Sequence, residues 1–413
     1  MTETNIIFNS LLVACSVIMV FFLSRPTLRN NETWQAMLTP LSSIVGSGFL
    51  IMAPLLASIV GKLSPLAVLG IVTLAYGIGH VIRFNILHVE PRSNDGTLSK
   101  GAKKVEYFGN IVLVLAYMVA VAFYLSLLSS FLLSYLGFSN LVYERWLTTI
   151  IITFIAVIGY LKGLGGLEKL EFLSMTVQLA IVVALLIGLG VFGMTFLASD
   201  EMLKFTYQDR PISTKIQMLA GALLVVQGFE TSRFIGEKYS PEVRVASMRN
   251  AQIISAILYV VSVILFMPIV QKIDLMHIEL AQIIEATGSA ALVLPLMLIV
   301  AALMSQFSAA VADTGGAGGL LNENSNNRLS TKLSYVGVSI SAILLVWSVD
   351  LMEIIALASR AFATYYLLQT LLALFYCYKD CALDSRMTLI NRWLYIVIAL
   401  ILLYVIIFAI PAE

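Results

Sequence analysis

A polar stretch at residues 223–233 interrupts an apolar run that is long enough to cross a membrane. The residues on both sides are apolar, and those that break the run are Gln227, Gly228, Glu230, Thr231, Ser232 and Arg233. Backbone inside the hydrocarbon layer leaves the helical conformation only where protein or a water-filled cavity satisfies the freed N–H and C=O groups. The interruption therefore predicts an internal binding site.

A second interruption lies at residues 38–54 and is centred on Gly46, Ser47 and Gly48. Two glycine-interrupted apolar segments, in corresponding positions of two halves, are typical of the substrate site of a secondary transporter. The two interruptions set the functional hypothesis for the whole chain.

Composition indicates an all-α polytopic membrane protein. The chain has 413 residues, of which 60% are hydrophobic and 12% are charged, which is too apolar for a soluble protein of this length. Apolar runs bounded by charge, glycine or proline predict twelve transmembrane helices. They lie at about 5–24, 34–60, 65–89, 107–136, 145–161, 168–197, 213–237, 247–271, 287–320, 331–349, 351–378 and 388–410.

Several classes of protein do not fit this sequence. The net charge of +1 and the lack of a basic tail exclude a nucleic-acid partner. The three cysteines and three histidines form no pattern of metal ligands, and no nucleophile and base stand at motif spacing. We therefore expect no enzyme activity and no cofactor, and the expected partners are a small-molecule substrate and the lipid bilayer.

The basic residues predict the orientation in the membrane. Eighteen Lys and Arg residues fall in the loops after the odd-numbered spans and six in the opposite loops, while Arg360 lies within a span. By the positive-inside rule, both termini should face outside. The predicted location is the plasma membrane, or the inner membrane in a bacterium, and the first apolar run is read as a retained helix rather than a cleaved signal peptide.

The ten central spans also predict an internal repeat. Gly48 and Gly228 are 180 positions apart, and the starts of the four spans that follow each break differ by 180 to 186 positions. Five spans per unit would place the second unit upside down relative to the first, although any twelve-span chain gives fairly even spacing. The predicted units are an extra N-terminal helix at 1–30, repeats at 31–200 and 201–380, and a C-terminal helix at 381–413.

Four stretches resemble the amino acid-polyamine-organocation (APC) superfamily, whose members have the LeuT-type fold of five plus five inverted helices. GSGF at 46–49 resembles the motif of the first core helix, and VVQGFE at 225–230 resembles that of the sixth. The run KGLGG at 162–166, with the apolar stretch after it, is similar to the entry of the fifth core helix, and SAAVADT at 308–314 is similar to the eighth. The ordered set covers most of the chain.

The resemblance implies a site for a zwitterion. The N–H groups of Gly46, Ser47 and Gly48 would bind a substrate carboxylate, and carbonyls near Leu224 and Gln227 would bind its ammonium group. Independently of the family, a break in a helix exposes backbone N–H donors at one helix end and backbone carbonyl acceptors at the other. Gly228 needs irregular backbone close to the ligand, and Phe229 and Leu224 are expected to shape the pocket.

The resemblance also implies a cation site. Sodium-coupled relatives bind Na⁺ with carbonyls of the first core helix and an element of the eighth, and the matching residues here are Ser42, Val45, Ala310, Asp313 and Thr314. Asp313 replaces a neutral hydroxyl, while Gln178 aligns with a lysine of some proton-coupled relatives. Asp313 is therefore expected to bind Na⁺ or carry a proton, because a bare charge inside a membrane is costly.

Two further interpretations remain open at this stage. Asp313 could instead form a buried ion pair with Arg360. The ion pair and the coupling role are compatible if Arg360 releases Asp313 during the transport cycle. Glu230 could act in gating or proton transfer, or could anchor the broken helix within one turn of Arg233. Tyr117 is expected to pack or to lie at an interface, and receives no role.

The sequence predicts a secondary active transporter of amino acids, coupled to a gradient of H⁺ or Na⁺ and working by alternating access. A neutral substrate is favoured, because Glu230 is the acidic residue near the side-chain subsite and Phe229 is apolar. An amino acid exchanger or antiporter is one alternative, and a receptor or channel on the same scaffold is another.

Overall fold

The computed structural model describes residues 3–46, 48–49, 51–138, 140–199, 203–205, 207–276, 278, 280–325, 328–348, 351–379 and 386–410. Ten helical stretches within these ranges are long and apolar enough to cross a membrane. Of the two predicted spans that contain the interruptions, 213–237 is missing from these ten, and 34–60 is represented only by Met52–Val60, which is joined to the next span in the stretch Met52–His88. The all-helical architecture is confirmed for the described residues, whereas the count of twelve spans stays a prediction.

Sixteen α-helices follow one another along the described chain. The first eight are α1 (Glu3–Leu23), α2 (Pro26–Arg29), α3 (Glu32–Gly46), α4 (Met52–Val60), α5 (Ser64–His88), α6 (Glu90–Asn94), α7 (Lys100–Tyr135) and α8 (Leu141–Lys162). The remaining eight are α9 (Leu164–Ala198), α10 (Ile212–Ala222), α11 (Pro241–Val270), α12 (Leu280–Thr287), α13 (Leu294–Asn324), α14 (Thr331–Ser348), α15 (Leu351–Lys379) and α16 (Arg386–Phe408).

Both interruptions are breaks in the backbone helix. The first separates α3 from α4, because α3 ends at Gly46 and α4 begins at Met52. The second follows α10, where the chain continues as the short 3-10 turns Leu223–Val226 and Phe229–Phe234. Gly228 lies between these turns with φ of +111°, a left-handed conformation that glycine adopts without steric cost.

Helix burial separates the centre of the bundle from its lipid-facing side. In α7 and α13, 61% of the most apolar window is buried inside the protein, whereas in α1 the figure is 17% and in α8 and α16 it is 22%. Because apolar side chains that are exposed on a membrane helix contact lipid, α1, α8 and α16 form part of the outer ring. The broken elements pack against the central helices α9, α11 and α13.

We call one end of the bundle the basic end. The helices α7 and α9 begin at this end and α13 ends there, and it carries Lys103 and Lys238. It is the end that the distribution of basic residues predicts to face the cytoplasm. The N-terminus of α3 lies on the same side, so α3 runs from the basic end to its break, and α13 runs in the opposite direction.

Candidate functional site

The first break leaves three backbone carbonyls at the end of α3 without helical partners, and side chains from three other helices satisfy them. Tyr259 on α11 donates its hydroxyl to the Ile44 carbonyl over 2.8 Å. Gln178 on α9 donates to the Val45 carbonyl over 3.2 Å. Orphan carbonyls at a buried helix end need such partners, so these side chains hold the break open.

Ser305 on α13 completes this set. Its hydroxyl lies within hydrogen-bond distance of the Gly46 carbonyl and at 3.3 Å from that of Val45. Ser308, one turn further along α13, donates to the side-chain oxygen of Gln178 over 3.3 Å. Gln178, which the family resemblance aligned with a lysine of some proton-coupled relatives, donates to the broken helix in this structure.

The two breaks touch each other. A Cβ at Gly48 would lie 1.8 Å from Val225 Cγ1, and a Cβ at Gly228 would lie 2.3 Å from the hydroxyl of Ser43. Tyr259 joins the same two segments, because its hydroxyl is also 3.4 Å from the Val225 carbonyl. The glycines are therefore required for the close approach of two irregular backbones.

Glu230 is fully buried and anchors the second break. One carboxylate oxygen accepts hydrogen bonds from the Gly228 N–H over 3.1 Å and the Tyr366 hydroxyl over 2.5 Å. The other accepts from the Tyr117 hydroxyl over 3.2 Å. The interpretation of Glu230 as the anchor of the broken helix fits this geometry, but its partners are these groups rather than Arg233.

Tyr117 therefore has a partner that sequence reasoning missed, and so does Tyr366. Tyr366 also stacks on Phe229, with ring centroids 5.2 Å apart. Phe229 is 1% exposed, which places it in the packing around the break. Nothing in the local sequence of Tyr117 or Tyr366 distinguishes them from other aromatic residues on apolar helices, so only the fold reveals them.

Asp313 lies at the side of the first break, and 1% of its surface is exposed. Ser43 on α3 donates its hydroxyl to Asp313 Oδ1 over 2.8 Å. Among the residues that the structure describes, the second oxygen, Oδ2, has no hydrogen-bond partner, and neither does the buried hydroxyl of Ser42. A buried carboxyl with one free oxygen can hold a proton or contribute to a cation site.

Other residues of the expected Na⁺ site form hydrogen bonds within the protein. Thr314 donates its hydroxyl to the Ala310 carbonyl over 2.7 Å. The Val45 carbonyl accepts from two side chains. Within the described part of the chain, no cluster of three or more His, Cys, Asp or Glu side chains could hold a metal ion.

The ion pair between Asp313 and Arg360 is not formed in this structure. Arg360 lies on α15 with an exposed side chain, whereas Asp313 is buried and its described hydrogen bond comes from Ser43. The alternative interpretation of Asp313 as half of this pair is therefore wrong for this conformation. A coupling role for Arg360 stays a prediction without a contact that supports it.

Two residues of the expected substrate site can be placed only in part. Ser47 lies outside the described residues, and so does the side chain of Leu224. The side chain of Gln227 is half-buried, and its oxygen accepts no hydrogen bond from the described residues. Next to the breaks, a cavity beside Ile44 and Tyr259 has a volume of about 10 Å³, room for about one water molecule.

A much larger cavity of about 750 Å³ opens at the basic end. Its lining is mostly polar and comes from α6, α7, the end of α13 and the segment after the second break. Arg233 lies at its wall, 2.6 Å from Glu106 on α7 and 2.6 Å from the side-chain oxygen of Gln369. Arg244 pairs with Glu90 over 2.6 Å and donates to the Arg233 carbonyl. These ion pairs hold the second break against the wall of the cavity.

We expect the buried pair of Arg233 and Glu106 to be a strong contributor to stability. Both side chains are at most 7% exposed, so Glu106→Gln should leave Arg233 with an unpaired charge and cost roughly 3–5 kcal/mol. Thermal unfolding of the purified protein measures the loss. Lys215→Gln is the matched control, because the Asp209 side chain of that pair is 92% exposed and such pairs contribute about 0–1 kcal/mol. Equal losses in the two variants would contradict this assignment.

A polytopic helical bundle with two broken helices in contact at its centre has the architecture of a secondary transporter. A sequence model of APC superfamily transporters matches residues 26–409. The chain therefore belongs to the APC superfamily of transporters, as the motifs indicated, and it is a transporter rather than an enzyme. An uncharacterized protein of Aquifex aeolicus (strain VF5) is 43% identical over 359 residues, which cover 86% of each chain.

Solved structures share the LeuT-type fold at low identity. MhsT in complex with L-phenylalanine superposes with a TM-score of 0.59 at 14% identity, over 91% of this chain and 98% of MhsT. A Na⁺-coupled sialic acid symporter gives 0.55 at 14% identity, over 100% and 99% of the two chains. A mutant of the manganese transporter of Eremococcus coleocola gives 0.58 at 13% identity, over 92% and 87%. The structural similarity shows the fold and does not identify the substrate.

Proposed function

We propose that this protein is a secondary active transporter of neutral amino acids, coupled to a cation gradient through Asp313 and working by alternating access around the two broken helices. The observation that carries the proposal is the position of Asp313. It is buried beside the break, Ser43 donates to one of its oxygens, and no described residue donates to the other. A carboxyl in that state needs a proton or a cation.

A proton is the coupling cation that the arrangement favours. A Na⁺ site needs several oxygen atoms directed at the ion, and the Val45 carbonyl already accepts hydrogen bonds from Gln178 and Ser305. Protonation of Asp313 requires only the free Oδ2. The unpartnered hydroxyl of Ser42 supports Na⁺ as the second candidate, because it lies on the helix that also supplies Ser43.

The proposed substrate is a small zwitterion. The N-terminus of α4 has no side-chain cap at Ile51, and although its Met52 N–H donates to the Gly48 carbonyl and Pro54 has no N–H, the positive end of the helix dipole supports a carboxylate there. The free oxygen of Gln227 is a candidate acceptor for an ammonium group. Both carboxylate oxygens of Glu230 accept hydrogen bonds from protein groups around the second break, which supports a neutral amino acid over one with a cationic side chain.

The arrangement in the membrane remains part of the proposal. We infer inverted repeats at 31–200 and 201–380, with both termini outside the plasma membrane and the basic end at the cytoplasm. On this basis the cavity of about 750 Å³ is the inner vestibule. An amino acid exchanger or antiporter would use the same site. Unlike the proposed cation-coupled transporter, it would move no net coupling cation across the membrane.

Thermal unfolding of the purified protein with each amino acid in turn tests the substrate class. A ligand that binds only the folded state stabilises it, by roughly 2.7 kcal/mol at a hundred times its Kd. We expect alanine, serine, leucine or a related neutral amino acid to raise the Tm, with the effect depending on pH in Na⁺-free buffer. Stabilisation by arginine or a polyamine, without any by neutral amino acids, would overturn the proposed specificity.

A further inference from the structure

A second buried carboxyl, Glu171, lies on α9 between the first break and the basic end. It is fully buried, and Thr39 on α3 donates its hydroxyl to Oε2 over 2.7 Å. Its other oxygen, Oε1, has no hydrogen-bond partner in the part of the chain that the structure describes. The motifs that mark the substrate and cation sites do not include Glu171, and the described structure gives it no ion-pair partner.

Glu171 repeats the geometry of Asp313 one helical turn away. Thr39 and Ser43 are four residues apart on α3, so they lie on one face, separated by about 6 Å along the helix. Each donates its hydroxyl to one oxygen of a buried carboxyl, and each carboxyl keeps its second oxygen free. The two hydroxyl–carboxyl pairs therefore lie one turn apart along α3, between the break and the basic end.

Gly315 on α13, close to Asp313, faces Glu171 on α9. Gly315 is two residues after Asp313, and a Cβ built on it would lie 4.0 Å from Glu171 Oε1. The free oxygen of Glu171 therefore points to the same stretch of α13 that carries Asp313. The helices α3, α9 and α13 pack on one another around this point.

Glu171 is also close to the surface of the basic end. Glu168 precedes it by one turn of α9, forms an ion pair with Lys238 and accepts a hydrogen bond from the Tyr239 hydroxyl over 2.8 Å. The Lys238 side chain is 41% exposed, so this turn reaches solvent. The titratable and charged groups around Glu171 include Glu168, Lys238 and Tyr239 toward the basic end, Tyr335 on α14, and Asp313 toward the break.

We propose that Glu171 is a proton-binding site on the path between Asp313 and the basic end. Its carboxylate takes up one proton at Oε1, becomes neutral while Thr39 keeps its hydrogen bond to Oε2, and returns the proton to water at the basic end when it ionises again. This inference rests on the proposed function in its proton-coupled form. It adds the residue through which the proton leaves or enters on that side.

Transport in proteoliposomes gives the first test. With the purified protein, Glu171→Gln keeps size and hydrogen bonding but cannot bind the proton. We expect this variant to retain exchange of a labelled neutral amino acid but to lose accumulation driven by a pH gradient. The accumulation ratio, which for one coupled proton is up to roughly tenfold per pH unit, should fall to about one. Glu171→Asp should keep part of the accumulation. Glu168→Gln, one turn nearer to solvent, is the matched control and should accumulate like the wild type. Accumulation by Glu171→Gln equal to the wild type overturns the inference.

Infrared spectroscopy of the purified protein gives a test that does not depend on transport. The band of a protonated carboxyl should change with pH in the wild type and in Asp313→Asn, and the part due to Glu171 should be missing from Glu171→Gln. Identical bands in the wild type and Glu171→Gln at every pH overturn the inference. If the wild type shows no accumulation in a pH gradient but its spectrum contains the Glu171 contribution, proton-coupled transport fails while the proton-binding site stands.

Discussion

Asp313→Asn abolishes gradient-driven accumulation and leaves exchange of substrate across the membrane. Asparagine keeps the size of the side chain and can still accept the hydrogen bond from Ser43, but it binds no proton and carries no charge. We expect the accumulation ratio of a labelled amino acid in proteoliposomes to fall to about one, a loss of up to about 1.4 kcal/mol of stored free energy per pH unit for one proton. Counterflow of labelled against unlabelled substrate measures the exchange that remains.

The double variant Asp313→Asn with Arg360→Gln separates this account from a buried ion pair. If the two residues formed such a pair, removal of Asp313 alone would leave a buried charge, and the second change would restore both stability and accumulation. Because Arg360 is exposed and Asp313 is held by Ser43, we expect no restoration. Concentrative uptake by the double variant would contradict the coupling role of Asp313.

Gly228→Val abolishes substrate binding while the protein still inserts into the membrane. Any side chain at this position must adopt a left-handed backbone conformation, which costs roughly 1–2 kcal/mol. Its Cβ would also lie 2.7 Å from the backbone carbon of Ser43, so the two broken helices would have to separate. Gly48→Val should have the same effect, because its Cβ would lie 2.8 Å from the Val225 carbonyl. Ligand-induced stabilisation of the purified protein is the measurement.

Gly70→Val is the matched control for these substitutions. Gly70 is an exposed residue of α5, and a Cβ there would meet nothing within 4 Å. We expect this variant to bind substrate like the wild type. Normal binding by both Gly48→Val and Gly228→Val would show that the substrate site lies elsewhere.

The sequence predicted the placement of the breaks because membrane solvation is a strict constraint. Polar residues and glycines inside an apolar run cannot be explained by a straight lipid-facing helix, so the positions of Gly48 and Gly228 were visible without a fold. Gly319 on α13 also allows a close approach to the segment after the second break, because a Cβ there would clash with the Phe234 carbonyl.

The side chains that complete the site could not be predicted in the same way. Tyr259, Ser305 and Tyr366 act through contacts with residues that are distant in sequence, and each stands in an ordinary apolar helix. Ser43 was overlooked beside Ser42, because the choice between two adjacent serines depends on which helix face meets α13. Charge alone suggested a pairing of Asp313 with Arg360, and only the packing of α15 shows that the two do not meet.

Uptake of a labelled neutral amino acid into proteoliposomes, in Na⁺-free buffer with the interior more alkaline than the exterior, tests the central claim most directly. The account predicts accumulation above equilibrium that collapses when a protonophore dissipates the pH gradient. It also predicts that Asp313→Asn vesicles reach equilibrium and no more. Accumulation that requires Na⁺ and ignores the pH gradient would contradict proton coupling, and equilibration without accumulation in either gradient would contradict active transport.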